Sequence, residues 1–238
     1  MSDRVFFRIP DAESEPPGQL IDSADISCPF KMRRLLELIP VFNMMLPFWR
    51  DSRMQLDTML KCMQNIGFTW QIIDDFEKKG RLHANARYIN ADEELPLIPI
   101  KPLKEMLAIF GRYQNATQIN IWPDDYKYIR EYLFEFVRKS RFHDKNGRFN
   151  SVFLYENLGV AVQIDKEYKA GVSSTLCQVR TVEVRSLDRY DVQWLTALTP
   201  GHICNDYFRG ADNYWSGRQS ASPKAEILFS GKYVLQKL

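Results

Sequence analysis

One ten-residue stretch, Arg148-Phe149-Asn150-Ser151-Val152-Phe153-Leu154-Tyr155-Glu156-Asn157, gathers side chains suited to holding a ligand. Read as a strand, it sets Val152 and Leu154 on one face and Ser151, Phe153 and Tyr155 on the other. A hydroxyl and two aromatic rings beside an arginine make an unusual surface for a core strand. The same pattern also fits a half-exposed strand whose rings pack under a loop. The stretch follows a basic run, Arg138, Lys139, Arg141, Lys145 and Arg148, set against a single Asp144. The first two suit a helix C-terminus, and one of the others can hold a phosphate. Two more charged groups sit on strand-like segments: Arg8 early in the chain and Glu226 late in it.

Other chemistry is missing. The sequence contains no GxGxxG or GxxxxGK[ST] phosphate loop, no GxSxG elbow and no HExxH motif. Cys28, Cys62, Cys177 and Cys204 are scattered without a CxxC pair, and only His83, His143 and His202 could assist them. No metal site is expected, and free thiols in a reducing compartment are the better reading. Asp74-Asp75 reads as a solvated helix end. The net charge of +2 gives no general attraction to nucleic acid or membrane. No apolar run approaches the roughly 18 residues of a membrane span. No basic stretch leading into an apolar one opens the chain, so a soluble, cytoplasmic location is expected.

Around the central stretch, Val5-Phe6-Phe7-Arg8-Ile9-Pro10 reads as a first strand stopped by proline, with Phe6 and Arg8 on one face. Residues 11–25 read as a solvated acidic loop, which also offers Arg8 an ion-pair partner. Residues 31–79 read as helical: Leu56, Met59, Leu60 and Met63 share a face, and methionines such as Met45 and Met54 fit helix-core packing. Pro96, Pro99 and Pro102 break residues 81–122 into short pieces with one helix near 101–110. A helix is expected over 124–139, capped by Asp124, with Tyr126, Ile129, Leu133 and Phe136 as its apolar stripe. Another is expected over 157–168, capped by Asn157, ended by Gly171, with Leu158, Ala161 and Ile164 inward. A strand over 175–184, helices over 188–198 and 202–215, and a hairpin of 225–229 with 232–237 across Ser230-Gly231 complete the reading.

At this point the chain resembles a known family. An arginine, then a Ser/aromatic pair, then a glutamate on three strands is the order of the mono-ADP-ribosyltransferase fold. Phe136-Val137-Arg138-Lys139-Ser140-Arg141-Phe142 and Arg148-Phe149-Asn150-Ser151-Val152-Phe153 look like the centre of a related bacterial family of undetermined function, DUF2441. Ala211-Asp212-Asn213-Tyr214-Trp215-Ser216-Gly217 and Glu226-Ile227-Leu228-Phe229-Ser230-Gly231 look like its closing motifs. The resemblance covers about residues 130–238 plus the first strand, and its ending, YWxG followed by ExLxxG, is the most specific part.

The resemblance implies NAD as substrate and no metal. Breaking the nicotinamide–ribose bond builds positive charge on the sugar, and a carboxylate facing that charge lowers the barrier. Glu226 takes this role by resemblance. Arg8 would hold the ribose or a pyrophosphate oxygen with its planar fork, and Ser151 would support Glu226 and the ribose. Phe153 or Tyr155 would stack on nicotinamide, Tyr214 would line the cleft, and Trp215 is expected in the core. Arg148 either anchors the strand's entry or holds part of NAD. Many arginine-modifying relatives carry an acid two residues before the glutamate; Lys224 stands there, which leaves other side chains, nucleic acid or water as acceptor.

The expectation is therefore an α+β protein with an ADP-ribosyltransferase-like split β-sandwich core and a mainly helical insertion in the N-terminal half. Residues 1–30 supply the first strand and loop, 31–122 the helical lobe, and 123–238 the core. The implied function is mono-ADP-ribosyl transfer from NAD to a macromolecule, protein before nucleic acid, by a bacterial or phage effector or toxin delivered into a host cell. NAD hydrolysis and a non-catalytic binding module are the alternatives.

Overall fold

The computed structural model describes residues 5–10, 15–26, 32–51, 55–78, 88–89, 98–168 and 176–238. The parts of these expectations that fall on residues 1–4 and 11–14, and those at Cys28, Met54, His83, Pro96 and Gly171, lie outside the described residues. In chain order the elements are β1 (Phe6–Arg8), β2 (Leu20–Asp22), α1 (Met32–Asp51), α2 (Leu56–Gln64), α3 (Ile66–Lys78), β3 (Tyr88–Ile89) and β4 (Ile98–Pro99). They continue as α4 (Ile100–Thr117), α5 (Tyr126–Arg141), β5 (Val152–Leu154), α6 (Leu158–Tyr168), β6 (Cys177–Asp191), α7 (Gln193–Thr196), α8 (Cys204–Trp215) and β7 (Ala225–Lys237). Helices and an antiparallel five-stranded sheet make this an α+β protein. The chain divides into two compact units: Met1–Met32, Glu135–Ala197 and Ala211–Leu238 form one, Arg33–Phe134 and Leu198–Gly210 the other.

The sheet belongs to the first unit. Strand β7 pairs with β6 from Ala225 to Lys237 on one edge. Its other edge takes β5 at 227–229 and then β2 at 232–234. Strand β1 pairs with β6, and Phe7 and Tyr155 exchange backbone hydrogen bonds of 2.8 and 2.9 Å, tying β5 back to β1. Strands β1, β6, β7 and β5 therefore form a closed circuit of pairing. On one face of the pleat, Phe6, Val152, Leu154, Cys177, Val179, Ile227, Phe229, Tyr233 and Leu235 build the core. Glu226 and Leu228 point to the other face of β7.

In the second unit α2 buries its expected stripe. Leu56, Met59, Leu60 and Met63 of α2 are at most 1% exposed. The apolar face of α1 buries Leu35, Leu38, Phe42, Met45 and Trp49. Arg34 donates to both carboxylate oxygens of Asp125 at 3.1 and 2.5 Å, and Asp125 in turn accepts from the Trp122 amide. Among the described residues no helix is long and apolar enough to cross a membrane.

Several expectations are corrected. The loop over 11–25 contains β2, a 3-10 turn at Ser23–Asp25 and a buried Glu15. Helix α4 runs on from 110 to Thr117. A 3-10 turn occupies Pro123–Asp125, so Asp124 does not cap α5, which starts at Tyr126. The buried stripe of α5 continues from Leu133 to Val137, four residues on, and leaves Phe136 exposed. Leu158, at the first helical position of α6, is also exposed, whereas Ala161 and Ile164 are buried and Asn157 caps the Val160 amide as expected.

Two larger corrections share one cause. The helix expected over 188–198 keeps only α7, because β6 continues to Asp191 against β7. The hairpin expected at Ser230-Gly231 is one continuous strand. The extra residues in the β6–β7 ladder lie on β6, at Thr181/Glu183 and Val184/Ser186, so β7 keeps its alternation. Gly231 makes this possible: at φ +151° it lies beside Glu183, and an added Cβ would collide with the Glu183 carbonyl oxygen. Gly231→Ala is accordingly expected to lower stability by at least about 2 kcal/mol, read as a fall in the urea midpoint. Gly18, at φ +84° with nothing within 4 Å of an added Cβ, should lose only the backbone strain of about 1 kcal/mol when changed to alanine.

Candidate functional site

The sheet carries two buried clusters of the same composition, each an arginine, a glutamate and a tyrosine. In the first, Glu226 at the start of β7 pairs with Arg148, from the 3-10 turn Arg148–Asn150 that leads into β5. The Tyr214 hydroxyl, from the last turn of α8, donates to Glu226 Oε1 at 2.7 Å and accepts from Arg148 Nη1 at 2.8 Å. The Arg148 guanidinium lies 4.7 Å from the Phe153 ring centroid and 5.4 Å from that of Tyr214. Tyr190 sits opposite Glu226 in the ladder and stacks on Tyr214 at 4.7 Å, and Trp215 meets both rings edge-on. Arg148 and Glu226 are each 2% exposed and Tyr214 not at all. Burial pushes the Tyr214 phenol well above its usual range; Arg148 opposes the shift and Glu226 adds to it. The hydroxyl is thus a proton donor at neutral pH.

The second cluster lies on the opposite face of β7, because Tyr233 has the other parity from Glu226. Arg8 donates to both oxygens of Glu15 at 2.5 Å and to the Phe153 carbonyl at 3.1 Å. The Tyr233 hydroxyl donates to Glu15 Oε2 at 2.7 Å. Burial alone would lower the Arg8 pKa, but the Glu15 carboxylate overrides it and holds the guanidinium charged. Arg8 does find its ion-pair partner in the acidic loop, but inside the core.

Of the expected site residues, Glu226, Arg148, Phe153 and Tyr214 come together. Arg8 does not join them; it reaches β5 at the Phe153 carbonyl, from the other face. Ser151 donates to the Gly147 carbonyl at 2.9 Å and so fixes the entry to β5. Tyr155 is 5% exposed and secures β5 to β1 through its backbone. Trp215 is core, as expected. Elsewhere in the basic run, Arg138 holds Glu135 and the Lys145 carbonyl, and Arg141 holds Asp212.

Glu15, Tyr190 and Tyr233 were not singled out by sequence reasoning. Tyr233 had a signal, since it shares the parity of Ile227, Phe229 and Leu235. Asp191 also proves more than a helix residue: at the end of β6 it accepts from the amides of Gln193, Ser220 and Lys224 at 3.0, 2.7 and 2.8 Å. It thereby fastens the segment that leads into Glu226. A depression of about 30 Å³ beside it, lined by Arg189, Gly217, Gln219 and Pro223 among others, has room for a water or two. Among the described residues no group of three or more His, Cys, Asp or Glu is placed to hold a metal ion.

Residues 76–237 match the family described as "Protein of unknown function (DUF2441)", and the chain belongs to that family. The match takes in Arg148, Phe153, Tyr214 and Glu226, begins well before the expected residue 130, and does not reach β1 or Glu15. No protein with a curated description matches the chain.

Two outcomes follow from this geometry. Arg148→Met leaves Glu226 buried beside no guanidinium and should cost about 3–5 kcal/mol in urea unfolding, part of which returns when Glu226→Leu is added. For Asp191, burial raises the carboxyl pKa, but the three amide donors outweigh it and hold the group below the usual carboxylate range. Such a group adds stability above its unfolded pKa of about 4, and loses it as pH falls through the lower folded value. Asp191→Asn should therefore unfold at a lower urea midpoint than wild type near neutral pH, with the gap narrowing below about pH 4.

Proposed function

We propose that the chain is an NAD-dependent mono-ADP-ribosyltransferase with Glu226 as its catalytic carboxylate. The carrying observation is the Arg148–Tyr214–Glu226 network beside Phe153, buried where the family's closing motifs meet the centre of the sheet. A buried ion pair can often be replaced by apolar residues at little loss of stability. Stability alone therefore gives this core small reason to keep a charged pair, and perturbed, buried charges gather at functional sites. In the reaction, the bond from ribose C1′ to the nicotinamide nitrogen breaks, and nicotinamide leaves with the bonding pair. An acceptor nucleophile then bonds to C1′ and gives up its proton. Glu226 stabilises the positive sugar in between, Phe153 offers a ring for nicotinamide, and Arg148 a fork for ribose or phosphate oxygens.

Arg8 and Tyr155 support this site by fixing β5, and Ser151 by shaping its entry. The core in this reading is of the ADP-ribosyltransferase type. Lys224 in place of an acid two residues before Glu226 argues for an acceptor other than arginine, on a protein before a nucleic acid. The resemblance extends the proposal to a bacterial or phage effector acting in the cytoplasm of a host cell.

The closure of Glu226, only 2% exposed, favours a second reading: a binding module that keeps the fold without turnover. Incubating the protein with labelled NAD and a cell lysate separates the possibilities. Label on a macromolecule supports transfer, and free ADP-ribose alone supports hydrolysis. Glu226→Gln should then lower the rate roughly 10²- to 10³-fold while leaving the far-UV circular dichroism unchanged. If the wild-type protein consumes no NAD under any of these conditions, the enzyme reading fails and the binding module stands.

A further inference from the structure

We infer that Tyr214 is an internal occupant of the position a sugar hydroxyl takes on Glu226, so that the closed site is a resting state from which a vicinal-diol ligand must displace it. The inference rests on the proposed NAD reading of this site and deepens it. The Tyr214 hydroxyl bonds in both directions, donating to the Glu226 carboxylate at 2.7 Å and accepting from the Arg148 guanidinium at 2.8 Å. A ribose hydroxyl has the same pair of capacities, one donor and an acceptor oxygen. A carboxylate already satisfied by a phenol is not left bare while no ligand is present, which removes the penalty of a buried, unsatisfied acceptor.

The phenol comes from the last turn of α8, only two residues before Ser216 leaves the helix. Helix ends open at lower cost than helix interiors. Tyr190 and Trp215 pack the ring, so its withdrawal separates aromatic contacts as well as the hydroxyl bond. Binding therefore requires opening first, and an intrinsic affinity for NAD is reduced by the fraction of open molecules.

Tyr214→Phe keeps the ring and removes the competing hydroxyl. Its dissociation constant for NAD, measured by calorimetry, should fall about tenfold or more, the size of a hydrogen bond to a charged group. Tyr233→Phe makes the same deletion against Glu15 in the other cluster (2.7 Å) and should not tighten NAD binding. Stopped-flow binding to the unaltered protein gives a reading that needs no variant. Its observed rate should level off with rising NAD concentration, as a preceding opening step demands. Equal or weaker NAD binding by Tyr214→Phe, with wild type binding, overturns the occupant role and leaves the NAD reading intact. So does a strictly linear stopped-flow rate. Absence of NAD binding by both wild type and Tyr214→Phe overturns the NAD reading, and the occupant role with it.

Discussion

The sheet unit depends on the unbroken alternation of side chains along β7, which pairs with β6 over its whole length and with β5 and β2 in turn on its other edge. A pleated strand offers two faces, and β7 uses them for different purposes. Ile227, Phe229, Tyr233 and Leu235 fill the core, while Glu226 and Leu228 face the other way. A slip of one residue would exchange them and move the glutamate from Arg148 and Tyr214 to a face of apolar side chains. The bulges of the ladder lie on β6, so this register is preserved, and Gly231 allows the two backbones a close approach.

Because the faces are separate, two chemically alike clusters serve separate ends. Arg8, Glu15 and Tyr233 lie inside the sheet and join β1, the loop after it, β5 and β7. Their value is geometric: the guanidinium takes both oxygens of one carboxylate and still reaches the Phe153 carbonyl. Arg148, Glu226 and Tyr214 lie buried on the opposite face and join the entry to β5, the start of β7 and the end of α8. Phe153 is common to both, its carbonyl held from one side and its ring beneath Arg148 on the other. Disturbing either cluster is thereby felt at the same strand.

Much of this was legible in the sequence where local rules decide. The alternation of residues 151–155, the Asn157 cap, the α2 stripe and a late strand bearing Glu226 all follow from spacing and propensity. What was not legible depends on partners distant in the chain. Phe6 and Arg8 evidently share a face, but only pairing with β6 decides that this face is the interior. Ser230-Gly231 has the composition of a turn; the carbonyl of Glu183, which no local rule supplies, makes it a strand position instead. Glu15 looked like one acid in a solvated loop because its arginine and tyrosine come from β1 and β7. Arg148 and Glu226 were both noticed, yet their pairing needs the β5–β7 ladder to be in place.

The strand order also has a bearing on how the protein is made. Strands β1 and β2 emerge from the ribosome early, but their partners are β6 and β7, and β7 follows all the strands it joins. Helices α1 to α4 of the second unit come from one continuous stretch and can condense before β7 is made; the sheet cannot. Its pairings span most of the polypeptide, the kind of topology that folds slowly. Until β7 arrives, the apolar residues of the earlier strands have no permanent neighbours and are exposed to wrong ones. Assembly of the sheet, and with it the first meeting of Arg148 and Glu226, therefore waits for β7.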